Sequence, residues 1–240
     1  MKKFFATCIA IIIFTAALPV LTTAESKVVQ ASADATISRH SNDGSGTQAC
    51  GASDHTYSAQ LVLSRGENRL GLVHFTLPAL PEGEALTSAM LTIYTRNDMV
   101  ESSVNKTIKV ACSAVDSIWN ETTLTYNQAE EGGYLPSGYP ITGLAVPLSK
   151  NSMLTIDVTE LLSAEYAAKK TNTTFVLAQE GTTSGNDIVF RSKEAGSQFT
   201  PTLTIASQVM SDDETTVQQD RLALDLGDTT NVTKNLILPA

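Results

Sequence analysis

Histidine and cysteine are scarce: the chain of 240 residues contains three of each. His40, His55 and His74 form no His-Glu-x-x-His helix, and no Gly-x-Ser-x-Gly elbow occurs, which removes two well-marked hydrolase frameworks. The segment holding His40, Asp43, Cys50, Asp54 and His55 gathers metal-ligand types. Its spacings fit no zinc pattern and no calcium-loop ladder. No cofactor or metal is therefore expected, with a structural Ca²⁺ through Asp43 as the one variant kept open. Basic residues are outnumbered, 16 against 25 acidic ones, for a net charge of -9. Such a chain repels phosphate backbones and anionic membrane surfaces, so a nucleic-acid partner is excluded. Aromatics reach only 6% and there is a single Trp, short of the dense aromatic and acidic pattern expected of a glycosidase cleft.

Long hydrophobic runs are also missing, with one exception at the start. Lys2 and Lys3 precede an apolar stretch over residues 4–21, and Thr22-Thr23-Ala24 offers a small-residue cleavage site. This reads as a secretory signal peptide over residues 1–24, an uncleaved anchor being the alternative. Export places the protein in an oxidising, extracellular setting. Cys50 and Cys112 would remain after cleavage, and a disulfide between them is expected, two buried thiols being the other reading.

Over residues 33–206 short alternating apolar runs are separated by Gly, Pro, Asn and Asp clusters. The pattern predicts an all-β fold, a jelly-roll-like antiparallel sandwich. In the strand over residues 69–77, Leu70, Leu72 and His74 share one face and Val73 and Phe75 the other. Further strands are expected over residues 35–38, 60–64, 86–95, 107–115, 123–126, 154–158, 174–179, 187–191 and 202–205. One short helix is expected after Asp157, which stands three residues before Glu160 with the spacing of a capping box. Residues 207–240 turn polar and acidic and then apolar again, the profile of a linker and the truncated start of a second module.

The most informative ten residues begin at Ile118. Trp119-Asn120-Glu121-Thr122-Thr123-Leu124-Thr125-Tyr126-Asn127 resembles the W-x-E-x-x-x-T-(W/Y)-N block of carbohydrate-binding module family 96, the DNRLRE or disaggregatase-related domain. Three further blocks follow that family's order. Arg69 to Phe75 with residues 86–94 resembles its Arg-led strand pair, residues 154–159 its "idVT" block, and Phe190-Arg191-Ser192-Lys193-Glu194 with Pro201-Thr202-Leu203 its closing block. The resemblance implies a secreted, non-catalytic β-sandwich that binds polysaccharide, an acidic uronate polymer such as alginate being the characterised ligand type. It also implies tethering to catalytic or cell-surface modules. The segment from Leu222 to Pro239 is similar to the opening of a degenerate bacterial immunoglobulin-like domain.

Uronate chains call for cations, so Arg65, Arg69, Arg191 and Lys193 near strand ends are the candidate carboxylate partners. For Arg69 and Arg191, internal ion pairs with Asp187 or Glu194 are the competing reading. Tyr134 and Tyr139, in a long Gly-rich loop, are candidate stacking rings. Trp119 is expected in the core rather than on a sugar, and Glu121 on a turn amide. The alternative function is a structural or adhesive spacer without a sugar site.

Overall fold

The computed structural model describes residues 25–39, 49–50, 60–64, 69–96, 107–136, 144–148, 152–180 and 187–209. The leader, Arg65, Tyr139, the His40 to His55 segment apart from the backbone of residues 49–50, and everything after residue 209 lie outside them.

Among the described residues antiparallel pairing organises twelve strands: β1 Glu25–Gln30, β2 Ala33–Ser38, β3 Ala49–Cys50, β4 Gln60–Leu63, β5 Arg69–Thr76, β6 Glu84–Tyr94, β7 Thr107–Cys112, β8 Leu144–Pro147, β9 Met153–Asp157, β10 Asn172–Gln179, β11 Ile188–Arg191 and β12 Thr202–Val209. One sheet has the order β1-β12-β6-β9, the other β3-β2-β5-β10-β7-β8, and β11 and β4 form a two-stranded ribbon. The result is an all-β sandwich of jelly-roll character. The sandwich reaches upstream of residue 33, because β1 pairs along its whole length with β12, from Glu25 opposite Ser207 to Gln30 opposite Thr202.

Period-two burial explains the four-stranded sheet. In β6, Ala89, Leu91 and Ile93 are buried while Met90, Thr92 and Tyr94 face outward. β5 and β10 are buried on both faces instead. Val73, Phe75, Phe175 and Leu177 enter the core between the sheets. Leu70, Leu72, Val176 and Ala178 enter a second cluster on the far side, closed by Trp119, Leu124, Tyr126 and Ala129. The outer face of the six-stranded sheet is thus roofed by its own chain. Each fully buried Leu or Phe contributes roughly 1.5–3 kcal/mol. Phe75 and Phe175 meet edge to face at 5.9 Å. Gly71 lets the ribbon approach, since a Cβ there would come 3.0 Å from the Leu63 side chain.

Two helices occur. α1, Tyr126–Glu131, replaces the strand expected over residues 123–126. Its N-cap Thr125 accepts from the Gln128 amide, and the Gln128 side chain accepts from the Thr125 amide, a complete capping box. α2, Thr159–Ala167, lies where a helix was expected, but its capping differs: Val158 is the N-cap and makes no side-chain bond. Asp157 instead accepts from the Thr159 amide and hydroxyl, at 2.9 and 2.6 Å. The α2 residue Tyr166 donates its hydroxyl to the Pro78 carbonyl at 2.9 Å, pinning the helix over one end of the sandwich.

The expected Cys50–Cys112 bridge is corrected. Cys112 is a free thiol. Cys50 pairs opposite Thr36 on β3, whereas Cys112 lies on β7, and three strands separate the two in the sheet order. Four inter-strand steps of about 4.8 Å exceed the reach of a disulfide several-fold. The Cys112 sulfur accepts from the Thr173 hydroxyl at 3.7 Å, and burial, then the Glu165 charge, push the thiol up to about 12.

Candidate functional site

Three side-chain groups gather the expected site residues. The first joins blocks that lie far apart in the chain. Asp34 on β2 is buried, and its Oδ2 accepts from the Lys193 amide at 2.7 Å. The Asp34 amide donates to Glu121 Oε2 at 3.3 Å. Lys193 Nζ sits 2.9 Å from Glu121 and 2.7 Å from Glu194, whose other oxygen accepts from the Ser192 hydroxyl at 2.8 Å. Glu121 therefore binds a strand amide, in β2, where a turn amide was expected, and a cation besides.

Three carboxyls surround one ammonium here. Burial, then the Glu194 charge, push Asp34 up to about 8, although the Lys193 amide bond works the other way. Burial alone would lower Lys193, but the bonds to Glu194 and Glu121 outweigh it and hold the ammonium above the ordinary lysine range. Lys193 is thereby committed to holding the turn Lys193–Ala195 against β2 and the Trp119 segment.

The second group is Arg69, at the start of β5. Its guanidinium pairs with Asp187 at 2.7 Å, and the Ser64 hydroxyl donates to the same carboxylate at 2.8 Å. This pair and the Ser64–Arg69 bridge fasten the ribbon to the six-stranded sheet. Of the two internal partners considered for Arg69, Asp187 is the one in place.

Arg191 behaves differently. It ends β11, which is fastened to β6 through the Thr95–Phe190 bridge, so it stands at the rim of the four-stranded sheet. Its guanidinium lies over the Phe199 ring at 4.0 Å. Phe199 in turn meets Tyr94 edge to face at 5.7 Å. No carboxylate among the described residues pairs with Arg191. A guanidinium stacked on an aromatic ring keeps its planar edge available for a carboxylate fork. Phe199 and Tyr94 were not singled out from sequence. The signal available was an aromatic two residues before Pro201, in a turn where a buried role is hard to satisfy.

Tyr134 is half-buried against the roof cluster, and its hydroxyl accepts from Ser117 at 3.1 Å. Trp119 is core, as expected: it is 6% exposed and its indole donates to the Thr174 hydroxyl at 3.1 Å. That hydroxyl also lies 3.0 Å from His74 Nδ1, so the one described His is part of the sandwich wall. Burial lowers its pKa below the ordinary histidine value. Among the described residues no group of three or more His, Cys, Asp or Glu could hold a metal ion.

A sandwich of this build, with its hydrophobic faces sealed and a cation–aromatic patch on its rim, is the scaffold of a carbohydrate-binding module. Residues 25–207 match the sequence profile of carbohydrate-binding module family 96, and the chain belongs to that family. Membership carries a carbohydrate-binding role and implies a non-catalytic module with a polysaccharide partner. Comparison with curated proteins finds no match.

Proposed function

We propose that this module captures an acidic polysaccharide, an alginate-like uronate chain, outside the cell, and holds it through Arg191. The observation that carries this reading is the Arg191 guanidinium resting on Phe199 beside Tyr94, without a carboxylate partner among the described residues of a protein whose net charge is -9. A sugar carboxylate would take the fork edge, and the half-buried rings of Phe199 and Tyr94 would pack on pyranose C–H groups. The leader over residues 1–24 would direct export. Ser207 to Val209 complete β12, and residues 210–240 would tether the module to a neighbour, catalytic or cell-surface, so that capture raises the neighbour's local concentration on the polymer. Arg69 and Lys193 support the scaffold from their ion pairs.

Affinity electrophoresis through gels containing alginate, pectin or a neutral glucan tests this reading, with and without EDTA. Alginate is expected to retard the protein, and Arg191→Ala is expected to weaken binding about ten- to hundredfold, the value of a charge-assisted pair. Retardation by none of the polymers would favour the structural spacer instead.

A further inference from the structure

The two large sheets treat their outer faces differently. The six-stranded sheet covers its own with Trp119, Leu124, Tyr126 and Ala129. The four-stranded sheet presents in-register rows. Gln30, Thr202, Thr92 and Thr155 stand side by side across all four strands. The next row is Val28, Thr204, Met90 and Asp157, and Tyr94 pairs with Met153 on the other side of the first. Val28 is 66% and Met153 62% exposed.

Charge is the telling feature. Among the residues of these rows only Asp157 is ionised, and its carboxylate is taken up by Thr159. In a protein this acidic the rows carry a single carboxylate, at Asp157, and otherwise hydroxyl, amide, methyl and thioether groups. Hydroxyls and amides both donate and accept, which suits the hydroxyls of a sugar, while Val28, Met90 and Met153 suit its C–H faces. Strands repeat at about 4.8 Å, a spacing close to the length of one pyranose unit in a linked chain. The rows begin beside Tyr94, where the Arg191 patch ends.

We infer that the outer face of the four-stranded sheet continues the Arg191 patch as an open platform for the interior of a polysaccharide chain, several sugar units long. The inference rests on the carbohydrate reading above and adds an extended, open-ended mode of recognition. A chain would thread across the face instead of being gripped at its terminus.

Calorimetry with alginate oligomers of increasing length, from dimer to hexamer, tests it. Affinity is expected to rise about tenfold or more over that range, equally for oligomers with a free or a reduced end. Thr92→Val with Thr155→Val removes two neighbouring hydroxyls while keeping β-branched side chains, and is expected to flatten the dependence on length. A length dependence unchanged in this folded double variant, or absent from the unsubstituted protein although it binds dimer, overturns the platform alone. Strong preference for one chain end does so too. Failure of the unsubstituted protein to bind alginate, pectin and neutral glucan overturns the carbohydrate reading together with it.

Discussion

Replacing Lys170 by Met is expected to cost about 3–5 kcal/mol of folding stability, as breaking a buried ion pair does. Lys170 and Glu165 have side chains only 13% and 8% exposed. The ammonium donates to Glu165 Oε1 and Oε2 at 2.9 and 3.0 Å and to the Ser113 carbonyl at 3.0 Å. Thr173 adds a hydroxyl bond to Glu165 Oε2 at 3.2 Å. The knot fastens the C-terminal end of α2 to β10 and to the residue that follows β7. Met keeps the aliphatic stem, so the variant isolates the charge: a buried carboxylate loses its cation and keeps one hydroxyl. Adding Glu165→Leu removes the stranded charge and is expected to restore most of the loss. Urea unfolding of the two variants reads the difference. A Lys170→Met protein within about 1 kcal/mol of the parent would show the pair to be solvated, with the worth of a surface bridge.

The fold was legible where local chemistry decides it. Alternation marked β6, β9 and β12, and the doubly apolar run from Leu70 to Phe75 marked a strand buried on both faces. Misreadings arose where two local signals competed. Thr123 to Tyr126 carries β-forming residues, yet Thr125 and Gln128 supply a capping box, and the roof cluster needs Tyr126 and Ala129 on one side of a helix. Tertiary packing decided for the helix. The cysteine pairing failed for a different reason: it depends on strand order, which neither spacing nor redox compartment encodes.

The site was half legible for the same reason. Residue types near strand ends pointed to Arg69, Arg191 and Lys193, but only the fold reveals that Asp187, Glu121 and Glu194 already occupy two of them. Arg191 is stacked on the Phe199 ring instead of a carboxylate, and Phe199 reaches Tyr94 across more than a hundred residues of chain.

The blocks that carried the family resemblance converge on Asp34, and this gives the second large effect, a dependence on pH. Unfolded, its carboxyl titrates near about 3.9. Folded, burial and the Glu194 charge push it up to about 8. Between these values the folded state holds a proton that the unfolded chain has lost. The contribution is therefore fully present below the unfolded value and is lost as pH rises through the folded one, with a slope of at most about 1.4 kcal/mol per pH unit. Glu121, Glu194 and Lys193 are the ionisable groups facing it, and the last stays charged throughout. Asp116 and Asp157 act in the opposite sense, since hydrogen bonds from Thr171 and Thr159 hold them low. Their contribution is lost only as pH falls through those depressed values, outside this window. Asp34→Asn imitates the protonated form and still offers an oxygen to the Lys193 amide. Urea midpoints at about pH 5 and about pH 8 should therefore fall for the parent and stay nearly level for the variant, which becomes the more stable of the two at the higher pH. Parallel declines in the two proteins would mean that Asp34 is ionised in the folded state, with Lys193 neutralising it in preference to Glu121 or Glu194.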